Sequence, residues 1–135
     1  MDNRELIQDI AENCVKGFAY NLKTLSRANG IVVLSCVTGE NGSLKGKVEG
    51  EQPADHAAWE CFDAGLVCQQ FCLAAYAKRG GTCILGVIDN EAIARKIGLP
   101  ENEKVAAISV YGYEEGEHHK APTRKEVGEV QRFID

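Results

Sequence analysis

Residues 55–79, DHAAWECFDAGLVCQQFCLAAYAKR, are apolar on nearly every side over a length at which a surface helix shows a polar face. The pattern predicts a long buried helix. Asp55 stands where an N-cap belongs, Lys78 and Arg79 suit a last turn, and Gly80 with Gly81 supplies a left-handed stop. At 1.5 Å rise per residue such a helix spans roughly 36 Å, most of the width of a domain of this size. The rest of the chain must be arranged around that rod.

The faces of this helix differ in kind. Trp59, Phe62, Leu66 and Leu73 form a bulky stripe, with Val67 and Phe71 beside it. Ala58, Cys61, Gly65, Cys68, Cys72 and Ala75 recur at alternating spacings of three and four, which makes a seam of small residues. Small side chains let another helix approach closely, and the alternating spacing suits a shallow crossing. That contact can lie within one chain or between symmetric subunits, and the spacing alone leaves both open.

A chain of 135 residues fits one domain, here residues 1–135, large enough to bury a core without disulfide or metal staples. The net charge of −5 is spread without a block of one sign, which argues against a nucleic-acid surface. Of the six cysteines, Cys36, Cys61, Cys68, Cys72 and Cys83 lie inside apolar runs, where cysteine acts as a small hydrophobe. Reduced thiols and a cytoplasmic location are expected. No secretory signal is evident, and no uncharged run reaches the about 18 residues of a membrane span.

Residues 1–28 carry a helical periodicity through Leu6, Ile7, Ile10, Leu22 and Leu25, broken near Gly17, which predicts two short helices or one kinked one. Residues 30–37, GIVVLSCV, predict a strand buried on both faces and central in a sheet. Residues 38–53 are polar and glycine-rich, a long loop of the functional or mobile kind. Its TGENG start lacks the spacing and Lys-Ser/Thr ending of a phosphate loop. Residues 82–88 and 105–113 predict two further strands, separated by a short helix that Asp89 caps and that ends at Gly98, Leu99 and Pro100. Strands alternating with helices indicate a layered domain with helices covering a sheet. The remainder reads as an extended arm closing on the body, with a short helix through Val127, Val130 and Phe133.

Cys68 and Cys72 are one helical turn apart and His118 adjoins His119, but no C-x-x-C or H-E-x-x-H motif accompanies them, so no metal site is expected. No cysteine has the sequence context of an activated nucleophile, and the G-x-S-x-G elbow of serine hydrolases is absent. A more informative pairing joins the turn GGTCILG, residues 80–86, to the basic cluster Lys120, Arg124 and Lys125. A tight turn lets backbone approach a planar cofactor, and Arg or Lys can hold a phosphate. The plain readings of the two are a helix C-cap and a solvated arm.

From about Ala28 onward the chain resembles the flavin-dependent nitroreductase family, through FDAGLVCQQFCLAAYAKRGGTCILGVID, IARKIGLPENEKVAAISVYGY and APTRKEV in that order. The resemblance implies an α+β fold, a layered α/β/α domain with a mainly antiparallel central sheet, forming a homodimer through long helices with FMN at the subunit boundary. It implies that NAD(P)H passes hydride to the flavin, which reduces a nitro, quinone or similar acceptor. By position, Ile84, Leu85 and Gly86 match the turn whose backbone lies against the flavin ring. Arg124 matches the basic residue near its phosphate, with Lys125 as a second candidate. No catalytic side chain is implied, since the flavin carries the chemistry.

Family members usually begin with Arg-Ser-x-Arg and Ser-x-Asn-x-Gln-Pro-Trp type segments that contact FMN, and neither occurs here. The chain therefore reads as a member shortened at its N-terminus by about 50–60 residues on the scale of domain sizes. Two functions follow as expectations: an FMN oxidoreductase that completes its site in a dimer, or a noncatalytic remnant serving as a binding or dimerisation module.

Overall fold

The computed structural model describes residues 1–39, 53–113, 115–116 and 120–134. Helix α1 (Arg4–Asn13) begins where the Asn3 side chain accepts from the Leu6 N–H, and it turns Ile7, Ile10 and Ala11 inward. The break before helix α2 (Ala19–Arg27) falls at Lys16 and Gly17, whose φ values of 50° and 71° are left-handed and end the first helix. The periodicity of residues 1–28 thus resolves into two helices.

Strands β1 (Gly30–Val37), β2 (Gly81–Leu85) and β3 (Glu103–Gly112) form an antiparallel sheet in the order β1-β3-β2. The first has the bounds its β-branched run predicts. It is not central, as expected, but an edge of this three-stranded sheet, and β3 lies in the middle. The reason is that a continuous apolar run reports coverage of both faces by helices and says nothing of lateral position. Val105, Ile108 and Val110 of β3 join Ile7, Ile10, Leu25 and Ile93 in one core with α1, α2 and α4 (Asn90–Ile97). The opposite face carries Tyr111, which meets Phe71 of helix α3 (Pro53–Ala77), and Cys36, which meets Glu60. Alternation along the strands therefore sorts side chains into two layers, giving the α/β/α order.

The long helix starts at Pro53, a favoured first-turn residue, so Asp55 lies inside it and not at its cap. It stops in a Schellman motif, with the Gly80 N–H bonded to Ala75 O and the Arg79 N–H to Tyr76 O, both at 2.9 Å. The left-handed residue is Arg79, at φ 62°, in place of the expected glycines. Gly80 serves close approach instead, because a Cβ there would stand 3.3 Å from Ala75 O. Helix α4 ends the same way at Gly98, φ 66°, after a start capped by Asp89.

Within the single chain α3 is covered on one side only. Glu60 and Cys68 are buried, and Cys72 and Ala75 are half-buried on the sheet side. The bulky stripe is bare, with Phe62 56% and Leu66 53% exposed. Part of the small-residue seam is thus an intrachain contact, and the expectation of a fully buried helix gives way to one buried along a single face.

Ser109 of β3 is 0% exposed and its hydroxyl has no hydrogen-bond partner among the described residues. An orphaned buried hydroxyl costs about 1–3 kcal/mol of desolvation. Ser109→Ala is expected to leave unfolding free energy unchanged or raise it by about 1 kcal/mol. Urea denaturation checks this, and a clear loss of stability would contradict it.

Candidate functional site

The turn that follows β2 is fixed from one side and open on the other. Leu85 and Ile88 are 2% and 1% exposed and root it in the core, while Ile84 and Val87 face outward at 52% and 49%. A Cβ placed on Gly86 would meet nothing within 4 Å. Behind the turn, the buried Asn21 of α2 donates from Nδ2 to Val87 O at 2.9 Å. The Asp89 N–H donates to Cys14 O at 2.8 Å, which ties the turn to the end of α1. Asp89 then accepts from the Ala92 N–H at 2.9 Å, and Asn90 Nδ2 donates to Val105 O at 2.7 Å. Three helices and the central strand thus hold a short stretch of backbone whose outer surface is bare and apolar.

Beside Ile84, between α3 and the sheet, lies a cavity of about 480 Å³. Small residues face each other across it, Ala64, Gly65 and Cys68 on the helix and Ala106 and Ala107 on β3, and their size leaves the space. Its polar edge is Glu60, whose Oε1 accepts from the Gly39 N–H at 2.6 Å and whose Oε2 pairs with Lys104. The Glu60 carbonyl accepts from Cys36 Sγ at 3.5 Å. One side chain therefore joins α3 to the exit of β1 and the start of β3, and the carboxylate holds the Lys104 ammonium above its usual range. Burial pushes the thiols of Cys36, Cys68, Cys83 and Cys14 up, which keeps them protonated and weakly nucleophilic.

Of the residues singled out in the sequence, Ile84, Leu85 and Gly86 are gathered in this turn, Leu85 offering only backbone. Arg124 and Lys125 are exposed on an irregular stretch, and Arg124 Nη1 donates to Pro122 O at 3.3 Å. Neither residue is in the described lining of the cavity beside the turn. The arm does not close on the body: its short helix α5 (Val127–Val130) is a single turn, and Val127, Val130 and Phe133 stay exposed. Among the described residues no cluster of three metal-ligating side chains occurs, and His118 and His119 lie outside them. Sequence reasoning missed Asn21, Glu60 and Lys104. An acid inside the apolar helix, one turn before Asp63, was the available signal for Glu60, whereas Asn21 sits in an unremarkable amphipathic pattern.

The Nitroreductase family model matches residues 4–113, and the chain belongs to that family. The match begins earlier than the three sequence blocks suggest and ends short of Arg124 and Lys125. Among solved structures, a nitroreductase family protein from Streptococcus pneumoniae superposes with a TM-score of 0.80 at 16% identity, over 97% of this chain and 76% of that one. An FMN-dependent nitroreductase from Clostridium difficile gives 0.70 at 15% identity over 100% and 72%. An NADPH:FMN oxidoreductase from Vibrio harveyi, in complex with NAD+, gives 0.66 at 16% over 96% and 60%. This chain thus spans roughly three-fifths to three-quarters of their lengths. No curated protein matches the sequence. The likeness establishes the fold, with its α+β architecture.

Removing Asn21 would leave Val87 O without its donor and free the turn from α2. Asn21→Ala is expected to cost about 1–3 kcal/mol and to speed amide exchange in residues 86–89 more than in β1. Hydrogen exchange by mass spectrometry reads both, and uniform acceleration across the chain would show that Asn21 acts on global stability only.

Proposed function

We propose that the protein is an oxidoreductase of nitroreductase type that holds FMN as a homodimer and works in the cytoplasm. When bound, FMN would take hydride from NAD(P)H and deliver it to a nitro, quinone or similar acceptor. The observation that carries this reading is the turn itself: rigidly backed, apolar at Ile84 and Val87, and open at Gly86, where any side chain would stand between the backbone and a flat ring. Those features fit the ring of the cofactor that the family implies. Ile84, Leu85 and Gly86 would present backbone to it, and the cavity beside Ile84 has a volume within the usual range for small-molecule sites.

Arg124 and Lys125 have the chemistry for the phosphate, since a guanidinium can form two charge-assisted hydrogen bonds to it. The arm must swing to the turn, or receive the cofactor there from another direction, for that contact to form. This separation favours the second reading, a noncatalytic module that binds or dimerises without turnover. A second copy is invited by the bare stripe of α3, where Trp59, Phe62, Leu66 and Leu73 are each about half exposed. No helix among the described residues is long and apolar enough to cross a membrane.

Titrating FMN into the purified protein should quench flavin fluorescence saturably, and Arg124→Ala should weaken binding about tenfold. NADPH-driven reduction of a nitroaromatic should follow FMN occupancy. Absence of saturable quenching at high micromolar FMN would leave the noncatalytic module, while binding indifferent to Arg124→Ala would keep the flavin and refute the phosphate assignment. Sedimentation is expected to show a dimer that Leu66→Asp converts to monomer, because the substitution places a charge in the apolar stripe. A monomeric wild-type protein at high micromolar concentration would exclude the shared helix face.

A further inference from the structure

The other end of β2 carries a second pair of cavities. They lie about the end of β3, roughly 13 Å along β2 from the turn described above. One, of about 320 Å³, is walled by Phe71, Ala74, Ala75, Tyr111 and Tyr113, with Lys78 at its edge. The other, of about 490 Å³, lies against Thr24, Arg27 and Thr82 and shares Asn29, Tyr111, Gly112 and Tyr113 with the first.

The aromatic wall is built rigidly. Phe71 meets the Tyr111 ring edge-on, with centroids 6.0 Å apart and planes at 72°. The Tyr111 hydroxyl lies over Gly30, where a Cβ would collide with it, and Asn29 Oδ1 accepts from the Tyr113 N–H at 3.2 Å. Tyr111 is thus held between α3 and the start of β1 and cannot rotate to fill the space beside it.

The charged side chains that line these cavities, among the described residues, are cations. The chain as a whole has 20 acidic and 15 basic residues, yet neither cavity is lined by an acid, and each has one cation, Lys78 or Arg27. Among the described residues neither cation is paired with a carboxylate. By contrast the cavity beside α1 is lined by Glu5, Asp9 and Glu12 together with Arg4, and the one beside Ile84 by Glu60 together with Lys104. An apolar aromatic slot with an unpaired ammonium at its mouth is complementary to a ring that bears one negative charge.

We propose that the pocket between the end of α3 and the end of β3 is a binding site for a small aromatic carboxylate, with the ring against Phe71 and Tyr111 and the carboxylate on Lys78. The site is separate from the flavin reading and does not depend on it. The volume suits one or two rings, at the lower end of the about 300–1,000 Å³ of small-molecule sites. Arg27, on the other side of the β3 end, adds to the positive potential without contacting the ring.

The test is ¹⁹F NMR of 4-(trifluoromethyl)benzoate titrated into the full chain, with 4-(trifluoromethyl)benzamide as the uncharged control. The acid should shift or broaden saturably, and the amide should bind about tenfold more weakly. Lys78→Gln, a surface change, should bring the acid down to the level of the amide. Ala74→Trp, at an exposed helix position lining the slot, should abolish binding of both while leaving the circular dichroism spectrum unchanged. Equal binding of acid and amide, an affinity unaltered by either variant, or no saturable response up to about 10 mM ligand would each overturn the assignment.

Discussion

The structure depends on how one helix that is apolar all round meets a sheet that can cover only one side of it. A sheet presents a single face to α3, so the sheet takes the small residues Cys68, Cys72 and Ala75, which let the helix lie close, and leaves Phe62 and Leu66 bare. The close approach has a consequence at each end. Toward the C-terminus of α3 it brings Phe71 onto Tyr111, and toward the N-terminus it brings Glu60 to Gly39 and Lys104. Between those fixed points the facing alanines and glycine are too small to fill the gap, and a cavity remains beside Ile84.

A buried carboxylate is costly unless its oxygens are engaged, and Glu60 engages both. It therefore acts as a geometric constraint more than as a source of stability: α3, the exit of β1 and the start of β3 can satisfy it only in one relative placement. Asn21 has the same part on the other side of the sheet, where its bond to Val87 O fixes the turn after β2 relative to α2. The open surface at Gly86 would suit a flat ligand because the backbone behind it is held by the Asn21 tie and by the Asp89 N–H to Cys14 O bond. A glycine in a loose loop would offer the same space without the same order.

Much of this was legible in the residues. β1 has the bounds that its β-branched run marks, and Asp89 and Gly98 delimit α4 as their capping chemistry requires. The family membership that the three sequence blocks imply is matched over residues 4–113, and the resemblance assigns the turn at Ile84, Leu85 and Gly86 to the flavin ring as an expectation. What failed was lateral and long-range. Apolar continuity in residues 30–37 could not distinguish an edge strand from a central one, because helices bury both faces of either. The left-handed stop of α3 fell on Arg79 since the Schellman bonds fix that position by counting from Ala75 and Tyr76, and the adjoining glycine was needed for clearance. Asn21 was invisible because its partner is 66 residues away in sequence.

The two halves of the candidate cofactor site differ in how the chain specifies them. The ring side is written into core packing: Leu85 and Ile88 cannot leave the interior without exposing buried apolar surface, so the turn between them is set whenever the domain folds. The proposed phosphate side would rest on Arg124 and Lys125, on a stretch with no buried residue among the described residues and a single helical turn behind it. Four exposed apolar side chains, Val127, Val130, Phe133 and Ile134, follow within a few residues. Apolar groups concentrated on a segment without packing of its own would be stabilised by a surface elsewhere, and the bare stripe of α3 is one such surface among the described residues. If two copies associate through that stripe, their association and the positioning of the arm are physically linked. Covering Phe62 and Leu66 would change the surface available to Phe133 and Ile134, and the placement of Arg124 would follow from where those side chains come to rest.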